Sequence, residues 1–305
     1  ALQDTGSGGS WPISSDRVVW VLAASGLSSK AADGSSSADA QQVWQQQWFS
    51  IAQNTLQQDR QYLYSADLGL YRGETSFLDW REQSYPSWTA KDTVFLAESF
   101  ALSTNVLHYV ALQKAAAAAD VLDPEAAKEF RSWAEALKTA INKAFWLPEQ
   151  GLYASYIGTE QHPQPIAQFD LLGLALAIEH GIASKTQAQQ ILANYPLAPA
   201  GPPVIFPAQS QVPIYHNRAV WPFVTAYALR AAKSQQHGAL FSKLAMSMFQ
   251  GAALHGSNME NFEWLTMRAH VEDGALSGPV VNSTRQLWSV AGFHDFVAGD
   301  LFGVK

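Results

Sequence analysis

The stretch GETSFLDWREQ, residues 73–83, gathers Glu74, Asp79, Trp80, Arg81 and Glu82 in a chain where only 15% of residues are charged. A carboxyl group set between large hydrophobes, as Asp79 is between Leu78 and Trp80, is partly desolvated. That favours its neutral form and suits it to donate a proton as a general acid. The segment joins two predicted helices and so belongs to a surface loop, where Asp79 or Glu82 could instead form an ordinary ion pair with Arg81. A second acidic group, SNMENFEWLT at 257–266, holds Glu260 and Glu263. They share a face if the segment is helical and diverge if it is a loop. Either could supply the second carboxylate that glycoside hydrolysis requires, one group protonating the leaving oxygen and one activating water. The alternative is a solvated charged turn.

Two further segments are rich in hydrogen-bonding groups beside a flat ring. PIYHNRAVWPF, 213–223, carries Tyr215, His216, Asn217, Arg218 and Trp221 at a predicted helix start, where Asn217 could serve as the N-cap. NSTRQLWSVAGF, 282–293, carries Arg285 and Trp288, with Asn282 or Ser283 as the expected cap. Arg285 could equally pair with a neighbouring carboxylate. Metal and nucleophile schemes find less support. The eight histidines have no His-Glu-x-x-His or close paired spacing, cysteine is absent, and neither a Gly-x-Ser-x-Gly elbow nor a phosphate-cradling Gly-rich loop occurs. No metal or other cofactor is expected, and carboxylate chemistry remains.

Helical periodicity must position these groups. It predicts helices over 14–27 (capped by Ser14 or Ser15), 37–62, 92–120, 124–146, 168–181, 184–195, 217–234, 238–255 and 283–302. Asp123-Pro124-Glu125 opens the fourth with an N-cap and a proline in the first turn. No alternating run is long enough for a major sheet. LGLYRG at 68–73 and QGLYASY at 150–156 echo each other, each after a long helix. They suggest helical hairpins in series, joined through short β-ribbons. Residues 1–10 read as an irregular lead and 34–37 as a loop; residues 11–305 form the expected domain.

Length and composition limit the partners. The 305 residues, 48% apolar, can bury a large core. A formal charge of -7 without basic runs argues against nucleic acid and anionic membrane, and no apolar stretch is long enough to span a bilayer. Eleven tryptophans and ten tyrosines favour flat amphipathic surfaces of the kind that stack on sugar rings, although a tryptophan can also simply fill a helical core.

The ordered set Glu-Thr-Ser-Phe-Leu-Asp-Trp-Arg-Glu, Tyr-His-Asn-x-x-Val-Trp-Pro-Phe, Glu-Asn-Phe and Arg-Gln-Leu-Trp-Ser-Val-Ala-Gly resembles the six-hairpin glycosidases, the (α/α)6-toroid hydrolases that include trehalase, processing α-glucosidase I and debranching-type enzymes. The resemblance runs from about Trp11 to the C-terminus. It implies an all-α toroid of helical hairpins, complete or truncated, because the predicted helices fall short of six hairpins and further domains or chain segments can lie outside these residues. It also implies an inverting, exo-acting hydrolase of a terminal α-linked glucose or mannose on an oligosaccharide. Asp79 would then be the acid and Glu260 the base, with Glu263 a rival. Trp80, Arg81, Glu82, His216, Asn217, Trp221, Arg285 and Trp288 would line the sugar site. For inversion the two carboxyls should stand about 6.5–9.5 Å apart. The compartment stays open in the sequence itself; the resemblance favours the periplasm or secretion.

Two other readings fit the same residues: a non-catalytic carbohydrate-binding toroid, and a polysaccharide lyase using Tyr215 or His216 as base. On the hydrolase reading, Asp79→Asn should abolish turnover with little loss of folding stability. Steady-state kinetics and thermal denaturation of one preparation check both halves.

Overall fold

The computed structural model describes residues 14–30, 38–77 and 81–304; the lead at 1–10 and the loop at 34–37 lie outside the described residues. In chain order a 3-10 turn (Ser14–Arg17) precedes α1 (Val19–Lys30), α2 (Ala38–Tyr62), β1 (Tyr64–Ser65), β2 (Leu70–Tyr71), α3 (Arg81–Ser84), α4 (Thr93–Glu98), β3 (Phe100–Ala101), α5 (Leu102–Leu122) and α6 (Pro124–Phe145). Next come β4 (Trp146–Leu147), β5 (Leu152–Tyr153), β6 (Tyr156–Ile157), β7 (Phe169–Asp170), α7 (Leu171–Glu179), α8 (Lys185–Asn194) and β8 (Ile205–Phe206). The chain continues through β9 (Ala219–Val220), α9 (Pro222–Ser234), α10 (Gly238–His255), β10 (Phe262–Glu263) and α11 (Leu287–Asp295), which runs on into a π-type turn at Phe296–Leu301. The fold is all-α, and each sheet among the described residues is a two-stranded antiparallel ribbon. None of the described helices is long and apolar enough to cross a membrane.

The chain divides into two compact units: residues 1–79, 93–145 and 156–166, and residues 80–92, 146–155 and 167–305. In the first, α5 packs against α6, α1 and α2. It is buried on almost every face down to Ala119, and its alanines at 115, 116, 118 and 119 let neighbours approach closely. Its partner α6 is amphipathic, burying Ala126, Ala127, Phe130, Ala134, Leu137, Ile141 and Phe145 at helical spacing. The expected Asp123 cap is present, its carboxylate accepting from Ala126 N at 3.1 Å. At the start of α5, Ser103, Thr104 and Asn105 turn inward. They hold the chain at 71–76 by accepting from Ser76 N, donating to Glu74 O, and bonding Tyr71 at both N and O. The beginning of the GETSFLDWREQ stretch is therefore fixed to the first unit's central helix.

In the second unit α9 packs against α7, α10 and α11. Helix α7 is apolar and buried from Leu171 to Ile178 and capped by Asp170 through Gly173 N, and α8 opens on a capping box of Ser184 and Gln187. The two Gly-Leu-Tyr echoes form equivalent ribbons, one in each unit: Tyr64 pairs with Tyr71, and Trp146 with Tyr153. Both turns need a left-handed residue, supplied by Gly69 at φ 72° and Gly151 at φ 64°.

One predicted helix is interrupted and three begin later than periodicity suggests, and hydrogen bonds to other segments explain these four cases. The helix expected at 92–120 is cut at Phe100 and Ala101, which pair with Ile157 and Tyr156. Phe169 and Asp170 pair with Phe206 and Ile205 before α7. Ala219 and Val220 pair with Glu263 and Phe262 before α9, so Trp221 is the cap residue, Pro222 takes the first turn, and Asn217 is not the N-cap. Residues before α11 are held out of the helix by bonds at Ser283 N and O and at Gln286 N, and Gln286 is the cap residue rather than Asn282 or Ser283. Likewise Ser14 and Ser15 lie in the 3-10 turn rather than capping α1.

Helix α10 carries Gly251 against the ring of Phe262, in a cluster with Ala200, Val220 and Met267 that Trp264 covers. A Cβ there would lie 2.8 Å from Phe262 Cε1. Gly251→Ala is expected to cost about 1–3 kcal/mol through overpacking, read as a lower midpoint in urea denaturation.

Candidate functional site

The end of the GETSFLDWREQ stretch is anchored by a residue whose type announces no chemistry. Gln83, in α3, is fully buried. Its Oε1 accepts from the backbone N–H of His216 (2.7 Å) and of Asn217 (2.8 Å), and its Nε2 donates to Pro213 O at 3.0 Å. Its own carbonyl accepts from the side chains of Gln209 and Gln168. Asn217 closes the same loop: Oδ1 accepts from Gln209 N, and Nδ2 donates to Gln209 O and Val212 O. These amides satisfy a partly buried, non-helical stretch whose innermost peptide groups, at His216 and Asn217, would otherwise be stranded. Sequence reasoning passed over Gln83; the one available signal was a polar residue ending a motif otherwise read for its charges.

That loop presents Tyr215 to a carboxylate. Glu260 is 5% exposed, its Oε2 accepting from Ser283 N at 2.8 Å and its Oε1 lying 3.4 Å from the Tyr215 hydroxyl. Glu260 N in turn donates to Ser283 O at 2.8 Å. The pairing of β9 with β10 lays the 257–266 segment beside the 213–223 segment, so two stretches singled out in sequence meet through backbone hydrogen bonds. Glu263 is buried too, but its Oε2 accepts from Leu265 N (3.0 Å), Thr266 N (2.7 Å) and Thr266 Oγ1 (2.7 Å). It caps its own turn, and its bonds go no further than its immediate neighbours.

An aromatic run leads away from Tyr215. The Tyr215 ring lies 4.6 Å from that of His216, which lies 4.8 Å from Trp221, which lies 5.9 Å from Trp288. Trp221 is buried and donates its indole N–H to Tyr215 O at 2.9 Å. Trp288 stacks on Phe223 at 4.8 Å and keeps 39% of its surface exposed, which leaves a face on which a sugar could lie. Arg285 is exposed and makes no salt bridge among the described residues. Arg218 adopts a left-handed backbone, φ 57°, and reaches Asp273 Oδ2 at 2.8 Å. Asp79 and Trp80, and the side chains of Arg81 and Glu82, lie outside the described residues.

Residues 36–194 match the family described as the bacterial α-L-rhamnosidase six-hairpin glycosidase domain. No curated protein matches the chain in sequence. Among solved structures, an uncharacterized conserved protein of Thermus thermophilus is similar at a TM-score of 0.66 and 14% identity, over 90% of this chain and 76% of that one. A mannosylglycerate hydrolase of the same organism, solved with glucose, gives 0.63 and 16% over 90% and 74%. A rhamnosidase from Klebsiella oxytoca with rhamnose bound gives 0.62 and 17% over 93% and 46%, so this chain spans less than half of that protein. At such identities the likeness establishes the fold.

The burial of His216 gives this geometry a signature in solution. Desolvation lowers its pKa from 6.5 to about 3, so the ring is neutral in the folded protein. A depressed value means that the unfolded chain binds the proton first. The contribution to stability is complete above about pH 6.5 and is lost as pH falls from there towards 3. His216→Phe, which keeps a ring in the stack, is expected to remove this dependence. Melting temperatures from pH 3 to 8 should show the wild type losing ground to the variant only below about pH 6.5.

Proposed function

Because the chain belongs to the bacterial α-L-rhamnosidase six-hairpin glycosidase family, and so is a glycosidase domain of the (α/α)6-toroid class with a carbohydrate substrate, we propose that it removes a terminal α-linked sugar with inversion. Asp79 protonates the glycosidic oxygen as the bond to the anomeric carbon breaks. Glu260 takes a proton from water attacking that carbon from the opposite face, and the products are an alcohol and a hemiacetal of inverted configuration. The observation that carries the assignment of the base is the setting of Glu260: a buried carboxylate between a backbone N–H and the phenol of Tyr215, whose ring begins an aromatic run that ends at the partly exposed Trp288. Both oxygens have partners on different segments, which fixes the direction in which the group can accept a proton.

Glu263 has the opposite character, three hydrogen bonds to its own turn on one oxygen, and its role in this reading is to shape the turn after β10. Asn217 serves the loop, and His216 and Trp221 back the site from beneath. Trp288 is the platform. The terminal sugar released as the hemiacetal is glucose or mannose on the motif resemblance. The family match favours L-rhamnose as a second reading.

Glu260→Gln is expected to lower kcat by about 10²–10⁴-fold with the fold intact. Glu263→Gln should lower stability by about 1–3 kcal/mol and leave kcat per folded molecule within a few-fold of wild type. Assays on p-nitrophenyl α-D-glucoside, α-D-mannoside and α-L-rhamnoside, with proton NMR of the first-formed anomer, test substrate and stereochemistry together. Retention of configuration, or full activity in Glu260→Gln, would overturn the mechanism.

A further inference from the structure

We infer that Gln83 is a positioning residue for the proposed base, acting through the Pro213–Asn217 turn and the hydroxyl of Tyr215. The inference rests on the assignment of Glu260 above and adds a residue and a route to it. Gln83 grips the turn on both sides of Tyr215, at Pro213 O and at the N–H groups of His216 and Asn217. Only Ile214 and Tyr215 lie between the gripped positions. Ile214 is held in turn by Leu276 O and Val280 N, and the Tyr215 carbonyl by the Trp221 indole. The Tyr215 backbone is thereby fixed, and its ring, wedged between His216 and Trp221, reaches Glu260 Oε1.

The burial of Gln83 makes the grip rigid. A side-chain amide offers two donors and a carbonyl acceptor. Here the carbonyl serves two adjacent peptide N–H groups out of water, and one amide hydrogen serves Pro213 O in a partly buried bond. Removing it strands two peptide donors in the interior, and the turn can satisfy them only by moving. An apolar side chain of similar size fills the space without the bonds. A carboxylate of the same shape keeps both acceptances and loses the donation. The positional tolerance of a reacting group is of the order of 0.5 Å, so a small shift of the Tyr215 segment should appear in turnover rather than in binding.

The test is a double-mutant cycle on whichever glycoside the chain hydrolyses, with kcat and KM corrected for the folded fraction. Gln83→Leu should lower kcat about ten- to a hundredfold with KM changed less than about threefold, and Gln83→Glu should recover most of the loss. In a Tyr215→Phe background, Gln83→Leu should lower kcat by less than about twofold more, because both changes act on one contact. Wild-type kcat in folded Gln83→Leu, or effects that multiply across the cycle, would overturn the inference. Should Gln83→Leu fail to fold, Gln83→Glu takes its place in the same cycle. It is then expected to lower kcat a few-fold in the native background and not at all beside Tyr215→Phe; an unchanged native-background kcat rejects the proposal. Glu260→Gln separates the two levels: activity there sinks the base assignment itself, whereas an inactive Glu260→Gln beside unaffected Gln83 variants sinks only the positioning role.

Discussion

Buried peptide groups in a chain segment that is neither helix nor strand must each find a partner, and the second unit holds one such segment, partly buried, at its candidate site. Within residues 209–217 that demand is met by the amide of Gln83, from a distant part of the sequence, and by that of Asn217 in the loop itself, while the Gln209 side chain secures Gln83 by donating to its carbonyl. The cost of leaving these groups unbonded in the interior ties the GETSFLDWREQ stretch to the loop bearing Tyr215 and His216. The pairing of β9 with β10 then brings Glu260 alongside. Hydrophobic burial makes the unit compact; this chain of polar satisfaction makes its site specific.

The secondary structure was largely legible because it depends on near neighbours. Long amphipathic runs such as α6, the Asp123-Pro124 start and the paired Gly-Leu-Tyr turns all declare themselves within a few residues. Helix starts were read too early wherever a two-residue ribbon takes the first turn. Phe100 and Ala101 satisfy a helical pattern as well as they satisfy a strand, and only their partners at 156 and 157 decide the matter. Local sequence carries no record of that pairing.

The site divides in the same way. Glu260 stood out as an acid among aromatic and amide residues, and the 213–223 segment for its density of rings and donors. Glu260 and Glu263, however, differ through contacts made elsewhere. One bonds Ser283 and faces Tyr215, while the other folds back on Leu265 and Thr266. Asn217 and Trp221 have the side chains of ligand-binding residues and are spent on the loop. Gln83 left no local trace, since its meaning lies in backbone groups some 130 positions away. The family match spans α2 to α8, which takes in Gln83, and ends before the segments bearing Asn217, Trp221, Glu260 and Glu263, so for these hydrogen-bond geometry supplies what similarity does not.

Arg218 sits between the loop and β9 in a backbone conformation that glycine enters freely and a longer residue enters only against steric resistance. Its side chain compensates by reaching across to Asp273. A glycine in its place would ease the main chain and release the far end of that strut, two changes of opposite sign. Global unfolding would register little, while the 268–277 excursion, with one of its moorings gone, would exchange its amide hydrogens faster. The residue works as a tensioned guy-line whose value lies in where it holds the loop rather than in how much it adds to the whole.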